Sequence, residues 1–197
     1  FANQPANHTP VFPNVSLSVA ENRPQGTLVG QVAASDVDAG QQITYAIIGG
    51  NTGNAFVIDP TTGQIRTQTP AAIDFETGST FSLIVRATDN GYPNLSATAV
   101  VTISVINTND PPSAADDVYS TGVNIPLQVP APGVLNNDSD IDHDELWAQV
   151  AENPLVGTLT LNTDGSFIYT PDTGFIGADH FRYRAVDTSG GFSEALV

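Results

Sequence analysis

The sequence predicts an all-β chain folded as two tandem β-sandwiches. Three observations lead there. The segments are short, rich in Val, Ile, Thr, Phe and Tyr, and separated by Gly, Pro, Asn and Asp, and none reads as a good helix. A length of 197 residues accommodates two ordinary domains, each able to bury its own core. Landmarks also recur in the same order at nearly one period. "VRATDNG" carries Asp89 and "YRAVDTSG" carries Asp187, 98 residues on, while Asp36 and Asp38 of "SDVD" return as Asp140 and Asp142 of "SDIDHD", 104 residues on.

In the first half, strands are expected near 11–19, 27–35, 42–48, 55–59, 63–67, 80–88 and 96–106. The clearest is "FSLIVRATD", where Phe81, Leu83, Val85 and Ala87 alternate with Ser82, Arg86 and Thr88. In the second half, strands are expected near 117–120, 124–129, 145–151, 156–161, 165–170, 179–187 and 192–197. "HFRYRAVD" alternates similarly, with Phe181, Tyr183 and Ala185 set against Arg182 and Arg184.

Charge is lopsided. Twenty-one acids face five bases, all Arg, for a net of −16. Such a chain does not attract nucleic acid or an anionic membrane, but it does attract cations. The chain has no Cys, so disulfides, thiolate chemistry and zinc–thiolate sites are excluded. No apolar run is long enough to span a membrane, and no signal peptide is legible. Starting mid-phrase at Phe1 and stopping within an expected strand at Val197, the sequence reads as a fragment whose last strand is cut short.

The stretch between the repeats, "INTNDPPSAADD", holds three carboxylates and two asparagines but no base. Alternate residues of an extended segment face one side, so Asp-x-Asp presents two carboxylates to one ion. Left unpaired, two such charges repel by roughly 1 kcal/mol in water and about 4 kcal/mol near a protein surface. Clusters of this kind are costly without a cation, and oxygen donors without His or Cys select Ca²⁺ or Mg²⁺. The plain alternative for any one Asp is a solvated face or a turn former.

The first half resembles a cadherin repeat. "AEN" (20–22), "SDVDAG", "FVIDPTTGQIRT", "IDFE", "ATDNGYP" and "VINTNDPP" follow the family's signatures in order. The second half, with "PGVLNNDSDIDHDEL" and "GTLTLNTDGSFIYTPDTGFIGADHFRYRAVD", resembles the cadherin-like (VCBS/Ig-like) repeats of large bacterial surface and secreted proteins. The resemblance implies two Greek-key, Ig-like/cadherin-like sandwiches joined by a calcium-binding linker. The end of a preceding linker would fill 1–10, a sandwich 11–106, the calcium linker 107–113 and a second sandwich 114–197.

What the resemblance implies about ligands carries over residue by residue. The first domain would supply Glu21, Asp74 and Glu76. The linker would supply Asn109 and Asp110, with the Thr108 and Pro111 carbonyls, and the second domain Asp140, Asp142 and Asp187. About three Ca²⁺ ions would lie at the joint. Two positions depart from the pattern: Asn107 replaces the usual Asp, and Pro111 the second Asn. Asp36, Asp38 and Asp89 would face a preceding repeat, where Asn7 and His8 replace the expected Asp and Asn and leave that set short of donors. Asp138 and Asp144 are candidate donors for a further local ion, with Asp116, Asp117 and Asn137 adding oxygens nearby. "DSDIDHDEL" superficially matches an EF-hand loop, but His143 takes the glycine position, Gln149 that of the bidentate Glu, and no helices flank it.

His8, His143 and His180 stand apart and read as surface residues, and Trp147 reads as core. No nucleophile or base constellation is legible, so a non-enzymatic chain is expected. The expected function is a calcium-binding extracellular repeat that stiffens a long bacterial surface or secreted protein and supports adhesion, with neighbouring repeats as partners. The rival is a module that binds a polysaccharide or another cell-surface protein, attached to a secreted hydrolase. Homophilic adhesion belongs to the family but does not follow from these residues.

Overall fold

The computed structural model describes residues 6–197; Phe1 to Pro5, expected to belong to a preceding linker, lie outside the described residues. The chain divides into two compact units, Phe1–Thr108 and Asn109–Val197.

Among its described residues the first unit contains seven strands: β1 (Val15–Ala20), β2 (Leu28–Gln31), β3 (Thr44–Gly49), β4 (Phe56–Ile58), β5 (Gln64–Thr67), β6 (Thr80–Thr88) and β7 (Ser96–Ile106). They form a four-stranded sheet, β1-β7-β6-β3, and a three-stranded sheet, β2-β5-β4. Period-two patterning explains the long strands. Along β7, Ala99, Val101, Ile103 and Val105 are buried while Ser96, Thr98, Val100, Ser104 and Ile106 are exposed. Leu83 and Val85 of β6 face the same core, which Val32, Phe56 and Ile65 complete from the other strands and loops. Full burial of one such side chain contributes about 1.5–3 kcal/mol.

Strand direction decides what meets at each edge. β1 pairs parallel with β7, Val15 opposite Val101 through Ala20 opposite Ile106. Both strands therefore end at one edge, and Glu21 emerges beside Asn107 and Thr108. β6 runs antiparallel to β7 and starts with Thr80 opposite Ser104, so the 73–79 loop reaches that same edge. Asp89 follows the far end of β6 and belongs to the opposite edge.

The second unit contains β8 (Leu127–Val129), β9 (Trp147–Glu152), β10 (Gly157–Leu161), β11 (Phe167–Pro171), β12 (Arg182–Val186) and β13 (Phe192–Leu196), in sheets β10-β11-β8 and β13-β12-β9. Phe167, Phe181, Tyr183 and Ala185 form its core with Val134. Each edge-to-face ring pair, such as Phe167–Phe181 at 5.4 Å, fixes orientation as well as burying area.

Two expectations are corrected. No strand forms over 117–120, and that near 124–129 shrinks to β8; the 117–126 segment has few ladder partners, a bond from the Asp117 amide to the Leu196 carbonyl being one. The first expected strand, near 11–19, is split. Val11 bridges to Ser35, Pro13 interrupts, and β1 begins at Val15.

Candidate metal centre

Glu21 anchors the edge of the first unit where β1 and β7 end. It is only 2% exposed, and its two oxygens accept from the Thr108 amide and the Phe75 amide, each at 2.7 Å. One buried carboxylate thus ties the departing chain to the Asp74–Glu76 loop. Asp74 closes that loop by accepting from the Thr77 amide at 3.0 Å. Oxygens of Glu21, Asp74 and Glu76 all lie within 4.8 Å of one another. Ligand oxygens sit 2.3–2.6 Å from Ca²⁺, so two ligands of one ion are at most about 5 Å apart. The trio's spacing and chemistry fit a hard divalent cation.

Asn22 was legible within its motif but carried no assigned role. Its backbone is left-handed, with φ 56°, which turns the chain after β1, and its amide nitrogen reaches Thr108 Oγ1 at 3.3 Å. Asn is the side-chain-bearing residue that best tolerates this conformation.

The opposite edge of the first unit holds Asp36, Asp38 and Asp89. The Asn7 side-chain amide donates to Asp89 Oδ2 at 3.1 Å, and the His8 backbone amide to Asp38 Oδ2 at 2.7 Å. The Asp38 amide donates to Asp36 Oδ1 at 2.9 Å. His8 Nδ1 lies 2.9 Å from Asp38 Oδ1, and this hydrogen bond and charge raise the imidazole pKa. The His8 amide and ring in turn lower that of Asp38. Gln41, which no motif marked, holds Asn7 by donating to its Oδ1 at 2.5 Å.

The second unit builds the same frame from equivalent residues. The Asn109 side-chain amide donates to Asp187 Oδ2 at 2.9 Å, the Asp110 amide to Asp142 Oδ2 at 2.8 Å, and the Asp142 amide to Asp140 Oδ1 at 2.9 Å. Asp187 is fully buried, and the bonds from Asn109 and from the amides of Ser189 and Gly191 hold its pKa down. Gly191 is required here because a Cβ would strike the Asp187 carboxylate and crowd Asn109 and Pro111. Asp140 Oδ2 and Asp36 Oδ2, equivalent atoms, are buried with no hydrogen-bond partner. An orphaned carboxylate oxygen at this depth is costly and suits a cation.

Other candidates separate. Asp138 accepts from the Ala115 amide and the Tyr183 hydroxyl, both close to 2.9–3.0 Å, so it anchors the core tyrosine. Asp144 donates its amide to Asp140 Oδ1 at 3.3 Å and His143 adopts φ 63°, which makes this a tight acidic turn without flanking α-helices. Among the described residues, Glu21, Asp74 and Glu76 are the acidic group whose ligand atoms come this close together. Trp147, expected in the core, is 37% exposed; it stands opposite Val186, as does Phe192, on the outward-facing side of its sheet.

The cadherin domain profile matches residues 15–106 and the bacterial cadherin-like domain profile residues 109–197. Protocadherin-16 of Rattus norvegicus is 36% identical over 173 residues, covering 85% of this chain and 5% of that protein. Protocadherin-23 of Homo sapiens is 44% identical over 95 residues, covering 47% of this chain and 3% of that protein. The chain therefore spans about a twentieth or less of these relatives. Among solved structures, Drosophila N-cadherin EC1-4 superimposes with a TM-score of 0.63 at 20% identity, covering 97% of this chain and 49% of that one. Mouse Cadherin-23 EC22-24 gives 0.58 at 22%, covering 96% and 63%.

Fold and edges together define a tandem β-sandwich repeat protein with acid-lined ends. The chain belongs to the cadherin family, as a cadherin domain followed by a bacterial cadherin-like domain. Domains of this family are extracellular, non-enzymatic adhesion modules. Among the described residues no helix is long and apolar enough to cross a membrane.

Proposed function

We propose that the two repeats belong to the extracellular stalk of a long adhesive protein, at the surface of or secreted by a bacterium, and that calcium fixes the joint between them. The observation that carries this reading is the buried Glu21 with Asp74 and Glu76, a trio spaced for one hard cation. On this reading the first unit contributes those three and the Thr108 carbonyl. The second contributes Asn109, Asp110, the Pro111 carbonyl, Asp140, Asp142 and Asp187, for about three ions. Asp36, Asp38 and Asp89 serve a joint with a preceding repeat, and no catalytic step is assigned.

Charge supplies the mechanism. Glu21, Asp74, Glu76, Asp110, Asp140, Asp142 and Asp187 are seven acids flanking a linker without a base. Bound calcium would neutralise that charge and coordinate both units, restraining motion that a short polar linker permits. The test is the distance distribution between spectroscopic labels on the two units, recorded while titrating Ca²⁺. Narrowing on addition is expected; an equally broad distribution with Ca²⁺ and with EDTA overturns the reading.

The exposed Trp147 and Phe192, on the same outward face with Val186 between them, favour a second reading, a polysaccharide- or protein-binding module of a secreted hydrolase. Retention on a glycan array that Trp147→Ala abolishes would put it first.

A further inference from the structure

Asn90 is the one asparagine in the sequence that precedes a glycine. In such a pair the glycine nitrogen, with no side chain beside it, is free to attack the asparagine carboxamide. The fold imposes the glycine. A Cβ at Gly91 would strike the Asn7 side chain, which donates to Asp89 Oδ2 at 3.1 Å and to the Pro93 carbonyl at 2.7 Å. The bonds that assemble this edge therefore place a chemically labile dipeptide within it.

The same edge restrains both reacting groups. The Gly91 amide donates to Asp89 Oδ1 at 3.1 Å, on the side of the preceding residue, and Asn90 Oδ1 accepts from the Gln42 amide at 2.9 Å. Asn90 is exposed, so water reaches it and these two bonds are what hold the carboxamide off the nitrogen. The second unit makes the same turn without the reactive pair. There the Ser189 amide donates to Asp187 Oδ1 at 2.8 Å, and Thr188 stands where Asn90 would be.

We propose that Asn90 is a gated modification site, intact while this edge is made and deamidating once the edge opens. On opening, the Gly91 nitrogen bonds to Asn90 Cγ, the Cγ–Nδ2 bond breaks and ammonia leaves. Hydroxide takes the Gly91 proton and water returns one to the departing ammonia, so the cyclisation yields a five-membered imide and no net charge. One water then opens the imide. Opening at Cγ gives aspartate, whose carboxylate still accepts from the Gln42 amide. Opening at the main-chain carbonyl gives isoaspartate, which adds a methylene to the backbone between Asp89 and Gly91. That extra atom displaces the Gly91 amide from Asp89 Oδ1, so the isoaspartyl product cannot remake the edge that protected it. Opening is thereby recorded in one direction only.

The test follows Asn90 by peptide-mapping mass spectrometry, with the chain held in EDTA at neutral pH. The parent is compared with Asn7→Ala and with a synthetic peptide of residues 86–95. The parent should convert at least about tenfold more slowly than the peptide, and Asn7→Ala should recover much of that difference. A parent that converts as fast as the peptide overturns the gate, as does an Asn7→Ala chain no faster than the parent. Should Asn7→Ala unfold the first unit, conversion of the parent in urea below the melting transition must rise in step with hydrogen exchange at Leu95, whose amide also donates to Asp89 Oδ1. Conversion that follows global unfolding alone refutes a local gate. The isoaspartyl form, separated by chromatography, should exchange faster than the parent at Gly91 and Leu95, while Asn90→Asp keeps the parent's protection and Gly191 is unchanged in both. Equal protection in the isoaspartyl form and in Asn90→Asp overturns the one-way record.

Discussion

In the first unit Asn7 reaches Asp89 and the His8 amide reaches Asp38; in the second Asn109 reaches Asp187 and the Asp110 amide reaches Asp142. Each bond recurs within about 0.2 Å, and in both units a buried oxygen of the Asp-x-Asp pair, on Asp36 or Asp140, lacks a partner. The difference is the residue after the asparagine. His8 places an imidazole against Asp38, whereas Asp110 adds a fourth carboxyl group to Asp140, Asp142 and Asp187. A backbone frame held by amides can thus be kept while its electrostatic demand changes. One edge carries its own cation-capable side chain, and the other, on the proposed reading, would be left to an external ion.

The largest expected effect lies outside both frames, at Glu21. Glu21→Ala leaves the amides of Phe75 and Thr108 without their acceptor in a buried site and should destabilise the first unit by about 3 kcal/mol, even in chelator. Thermal melting of the variant in EDTA measures this. A loss confined to calcium-containing buffer would mean that Glu21 is a ligand without the structural role its hydrogen bonds describe.

Next in size is calcium itself. A ligand at about 100 times its Kd, binding the folded form alone, adds about 2.7 kcal/mol. Melting curves in Ca²⁺ and EDTA should separate by that order, and Asp110→His, which copies the first frame into the second, should shrink the separation. The mirror change, His8→Asp, should lower stability in EDTA and gain from Ca²⁺. Asp164→Ala and Asp172→Ala, in remote turns, should leave the response intact. If all of these acid substitutions weaken it equally, the acids act as a diffuse counterion field.

Period-two patterning made the strands legible, which is why β6 and β7 fall where the sequence placed them. It failed at Val118 and Tyr119, because apolar alternation records a side chain's preference and cannot say whether a ladder partner is present. It failed also at Trp147: Leu146 and Trp147 are adjacent and apolar, and only the register opposite Val186 decides which faces out. Glu21, Asp74 and Glu76 were legible through family motifs, since no local spacing links residues so far apart in sequence. Gln41, Asn22 and Gly191 act through contacts made by folding, so their roles carried no signal of their own.

A smaller effect distinguishes the acids of the second unit from one another. Burial, then the charges of Asp138 and Asp116, push the Asp117 carboxyl up to about 6. Its folded pKa exceeds its unfolded value near 4, so the folded form holds the proton more tightly. Stability from this group is greatest below about pH 4, declines as pH rises to about 6, and is level above. Asp117→Asn removes the decline. The variant should exceed the parent by about 1 kcal/mol at pH 7, after allowance for partial exposure, and match it at pH 4 in chelator. Equal pH profiles would show that Asp117 ionises without cost.

The smallest effect returns to His8, where the two frames part. Its pKa is raised in the folded chain, so its stabilisation is fully present below the unfolded value of about 6.5 and is lost as pH rises through the folded value. The pKa of Asp38 is lowered, so its share is present above about 4 and is lost as pH falls through the folded value. Both conditions hold together between about pH 4 and 6.5, and the first unit should be most favoured there, by a small margin because the His8 side chain is 60% exposed. The His8 ring protons, followed by NMR in EDTA, should titrate above an ordinary histidine, and Asp38→Asn should return them to the ordinary value. His8→Gln should flatten this part of the first unit's profile without moving the Asp117-dependent slope of the second. A His8 midpoint unchanged by Asp38→Asn would show that the contact carries no charge coupling, and the two frames would then differ in residue identity alone.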